Sequence, residues 1–263
     1  MDLGLRGRVA LVTGASRGLG HAIAEALAAE GCDVAISSRT AQALRAAADA
    51  IAREHGVRAV PIAGTLGAPG EAERIVQEAA GVLGRVDVLV TNAGGPPAGP
   101  FESIPREAWQ EAVRTLLEST VDLCRAALPG MKQRRWGRIL TVTSISVKQP
   151  VRSLMLSNSV RAAVAGFART LADEAAPFGV TVNNLLPGWT RTERLEELAA
   201  ASARAQGTTR EAVLAGWERE VPMGRLGEPR ELAALAAFLA SERASYITGT
   251  SIAVDGGWIK GLL

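Results

Sequence analysis

The sequence predicts an α/β protein: a three-layer Rossmann fold with one doubly wound parallel sheet of about seven strands and helices on both faces, forming a single domain over residues 1–263. Three observations predict it. Short apolar segments alternate with longer segments of helical period along almost the whole chain. Runs such as Val86-Asp87-Val88-Leu89-Val90 are continuously apolar around one acid, as suits strands buried on both faces rather than on one. A glycine-rich turn also joins the first strand to the first helix.

Taken in order, residues 8–13 read as a buried strand, 14–20 as the turn and 20–30 as a helix stopped by Gly31. Strand 33–37, helix 41–55, strand 58–62, helix 69–82 and strand 86–91 repeat the unit. One long helix is predicted over about 106–133, followed by strand 138–143, helix 153–176, strand 181–186, helix 229–241 and strand 251–254. Right-handed crossovers are the only usual way to connect such units, so ligands should sit at the carboxyl ends of the strands. Residues 191–221 break the rhythm with a long, Arg- and Glu-rich helical stretch placed after a strand's carboxyl end. It reads as a lid over the substrate, with a surface insertion on the sheet edge as the alternative.

Composition excludes several function classes. Twenty-nine basic and 27 acidic residues leave a net charge of +2 with no basic stripe, so nucleic acid is not an expected partner. No apolar run is long enough for a membrane helix and the start carries no signal pattern, so a soluble cytoplasmic protein is expected. Cys32 and Cys124 have neither disulfide nor metal spacing and read as small buried hydrophobes, and no metal site is expected.

The turn Thr13-Gly14-Ala15-Ser16-Arg17-Gly18-Leu19-Gly20 sits where a dinucleotide-binding turn must sit, after the first strand and opening the first helix. Gly14 permits the tight turn, Gly18 a close approach to a pyrophosphate and Gly20 close helix packing, while the helix amino end attracts the phosphate charge. The second strand ends Ser37-Ser38-Arg39-Thr40, with no acid to repel a 2′-phosphate. Arg17 and Arg39 can form charge-assisted hydrogen bonds to one, so NADP(H) is preferred over NAD(H).

These features, with Thr91-Asn92-Ala93-Gly94, Ser144, Asn183, Pro187-Gly188 and Asp255-Gly256-Gly257, make the chain resemble the short-chain dehydrogenase/reductase family, in particular its bacterial 3-oxoacyl-[acyl-carrier-protein] reductase-like members, over nearly its whole length. The cofactor-binding set this resemblance implies comprises Gly14, Ser16, Arg17, Gly18, Leu19, Gly20, Ser38, Arg39, Thr65, Leu66, Asn92, Ala93, Gly94, Arg161, Pro187, Gly188 and Thr190. Thr65 stands where the family has an Asp. The resemblance also implies a homotetramer or dimer, assembled through helices 106–133 and 153–176 and the last strand.

The family's chemistry rests on an Asn, a Ser, a Tyr and a Lys, the Tyr giving a proton to the carbonyl oxygen as hydride arrives from the nicotinamide. Ser144 survives. The family spacing puts Ser157 at the Tyr position, Arg161 at the Lys position and Leu116 at the Asn position. Pro150 and Ala162-Ala163-Val164 hold the register without a gap. The chain has one tyrosine, Tyr246, and three lysines, Lys132, Lys148 and Lys260, so no Tyr-Lys pair can be rebuilt nearby. Arg161 stays protonated and can donate hydrogen bonds to a ribose but cannot shuttle a proton. Lys148, four residues beyond Ser144, is a substitute acid candidate or else a solvated loop lysine; His21 and His55 are assigned no chemistry.

The leading function is therefore an NADP(H)-dependent oxidoreductase acting on a carbonyl or alcohol, including 3-oxoacyl-type compounds, with catalytic candidates Ser144, Ser157 and Arg161. The alternatives are a catalytically impaired NADP-binding sensor or partner subunit, and a non-redox lyase or isomerase on the same scaffold. Pro96, Pro97, Leu154, Met155, Trp189, Leu195 and Trp217 suggest a small, apolar substrate.

Overall fold

The computed structural model describes residues 2–262. Its two central strands are β1 (Val9–Thr13) and β4 (Val88–Thr91), both wholly buried. β2 (Asp33–Ser38) and β3 (Ala59–Ala63) extend the sheet on one side, and β5 (Gly137–Val142), β6 (Val180–Pro187) and β7 (Ser251–Val254) on the other. All pairings are parallel, in the order β3-β2-β1-β4-β5-β6-β7. The direction of winding reverses between β1 and β4, which opens a crevice at their carboxyl ends.

The pleat explains why the central strands are apolar throughout. Ala10, Val12, Val88 and Val90 point into one core with Ile23 and Leu27 of α1 (Gly18–Ala29), Leu44 of α2 (Ala41–His55) and Leu232 of α9 (Pro229–Ala240). Their neighbours Val9, Leu11 and Leu89 point into the other, against Ile75 of α3 (Glu71–Leu83), Leu123 of α5 (Ser119–Arg134) and Leu171 of α6 (Met155–Ala175). At roughly 1.5–3 kcal/mol for each large side chain removed from water, these two cores hold the sheet rigid beneath the crevice.

The helix predicted over 106–133 is not uniform. It comprises α4 (Arg106–Ala112), a π-helical segment at Val113–Glu118 and α5. The hydroxyls of Ser119 and Thr120 donate to the carbonyls of Thr115 (2.5 Å) and Leu116 (2.7 Å), satisfying backbone acceptors inside the irregular turn. A single π turn adds one residue to the period, an offset too small for apolar spacing to register.

Residues 191–221 form two helices, α7 (Glu193–Gln206) and α8 (Arg210–Glu220). Thr192 and Thr209 cap them, accepting from the amides of Leu195 and Ala212. Ala199, Ala203 and Val213 form a small core between them, with Leu214 and Trp217 at its edge.

Both cysteines are buried and free, and burial pushes each thiol up to about 12, so neither is a thiolate near neutrality. Among the described residues no helix is long and apolar enough to cross a membrane, and no three His, Cys, Asp or Glu side chains cluster in a way that could hold a metal ion.

Candidate functional site

The glycine-rich turn is built by backbone crowding. Gly14 and Gly18 take φ of +59° and +62°, the left-handed region that favours glycine. A Cβ on Gly20 would lie 2.4 Å from the Gly14 carbonyl oxygen. The turn is pinned to β4 by a reciprocal clasp, in which the Thr13 hydroxyl donates to Asn92 O (2.8 Å) and the Asn92 amide donates back to that hydroxyl (2.9 Å). Asn92 Nδ2 also donates to Gly14 O at 3.1 Å. The amino end of α1 carries no side-chain cap, so its amide N–H groups are left for an anion. At the end of β2, Ser38 Oγ is buried with no hydrogen-bond partner. A cradle with no room for Cβ atoms, an uncapped helix end and an orphaned hydroxyl fit a nucleotide with a phosphorylated ribose.

A cavity of about 380 Å³ runs from this turn along the crevice. Arg17 and Arg39 border one part of it, and Ser144, Ser157 and Arg161 another. Ser144 follows β5 in extended backbone, and its Oγ accepts from the Ser146 amide at 3.1 Å. Ser157 and Arg161 lie one turn apart on α6, each only 9% exposed. Arg161 Nη1 donates to Val142 O at 2.9 Å. Burial, and secondarily the charge of Arg194, push the Arg161 guanidinium down to about 10, which leaves it charged at neutral pH. Beneath it, Thr91, Leu116, Ser119 and Thr120 enclose a second cavity of about 10 Å³, room for one water, into which the buried Thr91 hydroxyl brings no protein partner.

The start of α7 and the residues before it border the same crevice. Arg17 pairs with Glu193 at the start of α7, and the Thr192 methyl lies 3.7 Å from the Cβ position of Gly18. Arg194 Nη2 donates to Pro96 O at 2.6 Å. Trp189, on the loop after β6, stacks on Trp217 with ring centres 4.4 Å apart and meets Trp258 edge-on at 6.2 Å. That triad forms an apolar wall beside the site.

Residues 14–259 match the family model described as Enoyl-(Acyl carrier protein) reductase. The chain belongs to the short-chain dehydrogenase/reductase family. Among its relatives, a 3-oxoacyl-[acyl-carrier-protein] reductase of Vibrio cholerae is 38% identical over 97% of this chain and 98% of its own. A protein named as a putative ketoacyl reductase of the monensin polyketide synthase, from Streptomyces virginiae, is 37% identical over 95% of this chain and 96% of its own. The solved L-sorbose reductase of Gluconobacter frateurii, a complex with NADPH and L-sorbose, superposes with a TM-score of 0.94 at 34% identity and full coverage of both chains. This short-chain dehydrogenase/reductase is thus an oxidoreductase by descent, with NADPH-bound structural neighbours.

Of the positions singled out in the sequence, Gly14, Arg17, Gly18, Leu19, Arg39, Asn92, Ala93, Gly94, Ser144, Ser157, Arg161, Pro187, Gly188 and Thr190 all border the larger cavity. Ser16, Gly20, Ser38, Thr65 and Leu66 do not; Gly20 packs behind the turn, Thr65 is exposed after β3, and Leu66 borders the smaller cavity. Lys148 is exposed and outside the lining. Of the apolar set, Pro96, Leu154, Trp189 and Leu195 border the cavity, whereas Pro97, Met155 and Trp217 do not. Asn183 is a structural clamp: its Oδ1 accepts from the Thr250 amide and hydroxyl, and its Nδ2 donates to Ile247 O. Sequence reasoning missed Arg194, whose only signal was its place in the first turn of a capped lid helix.

Proposed function

We propose that this enzyme is an NADP(H)-dependent reductase of a small carbonyl compound, working in the reverse sense on the alcohol. The observation that carries the reading is the single cavity that joins the phosphate-binding turn to Ser144, Ser157 and Arg161. NADP rather than NAD is favoured because Arg17 and Arg39 border the cavity and β2 ends in Ser38-Arg39, with an unpartnered buried hydroxyl on Ser38, where an acid would exclude the 2′-phosphate. The Arg17–Glu193 pair does not oppose this, since both side chains are more than 60% exposed and such a pair contributes little.

Gly14, Arg17, Gly18, Asn92 and Arg161 would hold the cofactor, which when bound supplies the hydride. Ser144 Oγ, fixed by the Ser146 amide, would donate a hydrogen bond to the substrate oxygen, and Ser157, which borders the same cavity, offers a second hydroxyl for that oxygen or for a water. The positive charge of Arg161 favours the negative charge that grows on that oxygen. Among the described residues no Tyr, Lys, His or Cys borders the cavity, so in this reading the proton comes from solvent. The reaction runs slowly by the standard of an enzyme with a positioned acid, while proximity and orientation are retained.

Following NADPH absorbance with ketones and 3-oxoacyl thioesters is expected to show slow turnover that falls at least about tenfold in Ser144→Ala, the loss of one donor to a developing charge. Equal rates in the two proteins would reject the assignment. In the same assay, replacing Arg17 and Arg39 together by alanine is expected to raise the KM for NADPH about 10- to 100-fold, with little change for NADH.

A further inference from the structure

Among the described residues Arg161 is a buried cation without a counter-ion. Its one hydrogen bond among them goes to a backbone carbonyl, and the charge it senses is another guanidinium, that of Arg194. Buried charges are ordinarily paired, and leaving one unpaired costs several kcal/mol. Arg194 is odd in its own right, because a cation in the first turn of a helix opposes the helix dipole. It is held there by specific contacts. Its Nη2 is bonded to Pro96 O, and its side chain lies so close over Gly95 that a Cβ on that glycine would come within 2.7 Å of Nε.

Nearby acids do not neutralise the pair. Glu193 pairs with Arg17, and Glu197, which borders the same cavity, meets Arg194 Nη1 at 3.4 Å in an exposed pair that contributes little, its side chain being 57% exposed; Arg161 meets neither. In the reductase reading Arg17 and Arg39 would meet the phosphates of the cofactor, and its nicotinamide riboside end would bring no anion to Arg161. Arg161 and Arg194 thus border one cavity with the apolar Leu154, Trp189 and Leu195 and with Glu193 and Glu197, which pair with Arg17 and Arg194 rather than with Arg161.

We infer that the carbonyl substrate carries a carboxylate, bound between Arg161 and Arg194, with its apolar body against Trp189. This rests on the reductase reading and names its substrate class. The balance is that of a simple reduction: hydride adds to the carbonyl carbon, the C=O π bond opens, water protonates the oxygen and NADPH leaves as NADP⁺. The carboxylate is unchanged throughout.

The test compares 2-oxo, 3-oxo and 4-oxo aryl carboxylates with their methyl esters as substrates. For at least one spacing the acid is expected to exceed its ester in kcat/KM by about 10- to 100-fold, the range for hydrogen bonds to a charged group. Arg194→Gln is expected to bring the two within about threefold, mainly through the KM of the acid, with Arg194→Lys intermediate because it keeps the charge but loses the fork. Esters reduced as well as acids at every spacing, or an acid preference that survives Arg194→Gln, would overturn the inference. So would a weakened NADPH Kd in Arg194→Gln, which would give that cation to the cofactor. If neither series is reduced, the reductase reading fails separately, and titration calorimetry of the NADP⁺ complex with benzoate against benzamide decides the anion site without turnover. Tighter benzoate binding that Arg194→Gln abolishes supports it, and equal binding rejects it.

Discussion

The triple variant Leu116→Asn, Ser157→Tyr, Arg161→Lys is expected to reduce its substrate roughly 10²–10⁴ times faster than the natural sequence, the usual contribution of a positioned general acid. The phenol has somewhere to go, because Ser157 borders the 380 Å³ cavity rather than a packed interior. Leu116 is the harder position. It is 4% exposed and packs with Ala112, Leu156 and Val160, so an amide there must find its partners in the small polar cavity that Thr91 and Thr120 border. Ser157→Tyr alone, with an expected gain nearer the lower limit, separates a failure of chemistry from a failure of folding. The pH profile gives a second readout. In the natural sequence Arg161 stays charged up to about 10, so kcat should be flat across the neutral range. The tyrosine-bearing variant must be protonated to act, so its rate should fall as pH rises through the phenol's pKa. Unchanged rates in both variants, with NADPH binding intact, would mean that the pocket no longer presents a carbonyl to this position.

The sheet and the crowded glycine-rich turn were legible because their physics is local. A strand buried on both faces must be apolar at nearly every position, as in β1 and β4, and a turn that brings Gly20 within contact of the Gly14 carbonyl admits no side chain. What escaped was set by tertiary contacts. Nothing in the spacing of Trp109, Val113 and Leu116 distinguishes an α-helix from one interrupted by a π turn, because the carbonyls freed there are satisfied by the ordinary hydroxyls of Ser119 and Thr120. Arg194 reads in sequence as one more charge on an exposed lid helix. Only the fold brings it from α7 onto Gly95 and Pro96, some 98 residues earlier, and so into the field of Arg161. For the same reason no linear pattern joins the cavity's apolar residues Pro96, Leu154, Trp189 and Leu195 to the guanidiniums of Arg161 and Arg194, which border it as Arg17 and Arg39 do.

Gly20→Ala should be strongly damaging to the glycine-rich turn, and its sign is informative because helix propensity argues the other way. Alanine is favoured over glycine in a helix interior by about 0.5–1 kcal/mol. Gly20 lies in α1 and its φ is not left-handed, so the backbone itself raises no objection. The new Cβ, however, would sit 2.4 Å from Gly14 O and 2.8 Å from Asn92 Nδ2, and the first of these is backbone that cannot rotate away. Relief requires α1 to move off the turn, which loosens the bond from Asn92 Nδ2 to Gly14 O and spreads the N–H groups that, in the proposed function, would meet the cofactor's phosphates. Overpacking of this kind costs about 1–3 kcal/mol, and a chain of this length loses roughly 2–4 °C in Tm for each. NADPH affinity should fall at least about tenfold, since even one misaligned hydrogen bond to a charged oxygen accounts for about 1.5–3 kcal/mol. Gly81→Ala is the control. It lies exposed in α3 with nothing within 4 Å of its Cβ position, so there the propensity term acts alone and Tm should rise without any change in NADPH Kd. Thermal melts of both variants with and without NADPH read the contrast directly. Equal shifts in the two would show that crowding at Gly14 and Asn92 does not shape the cofactor loop.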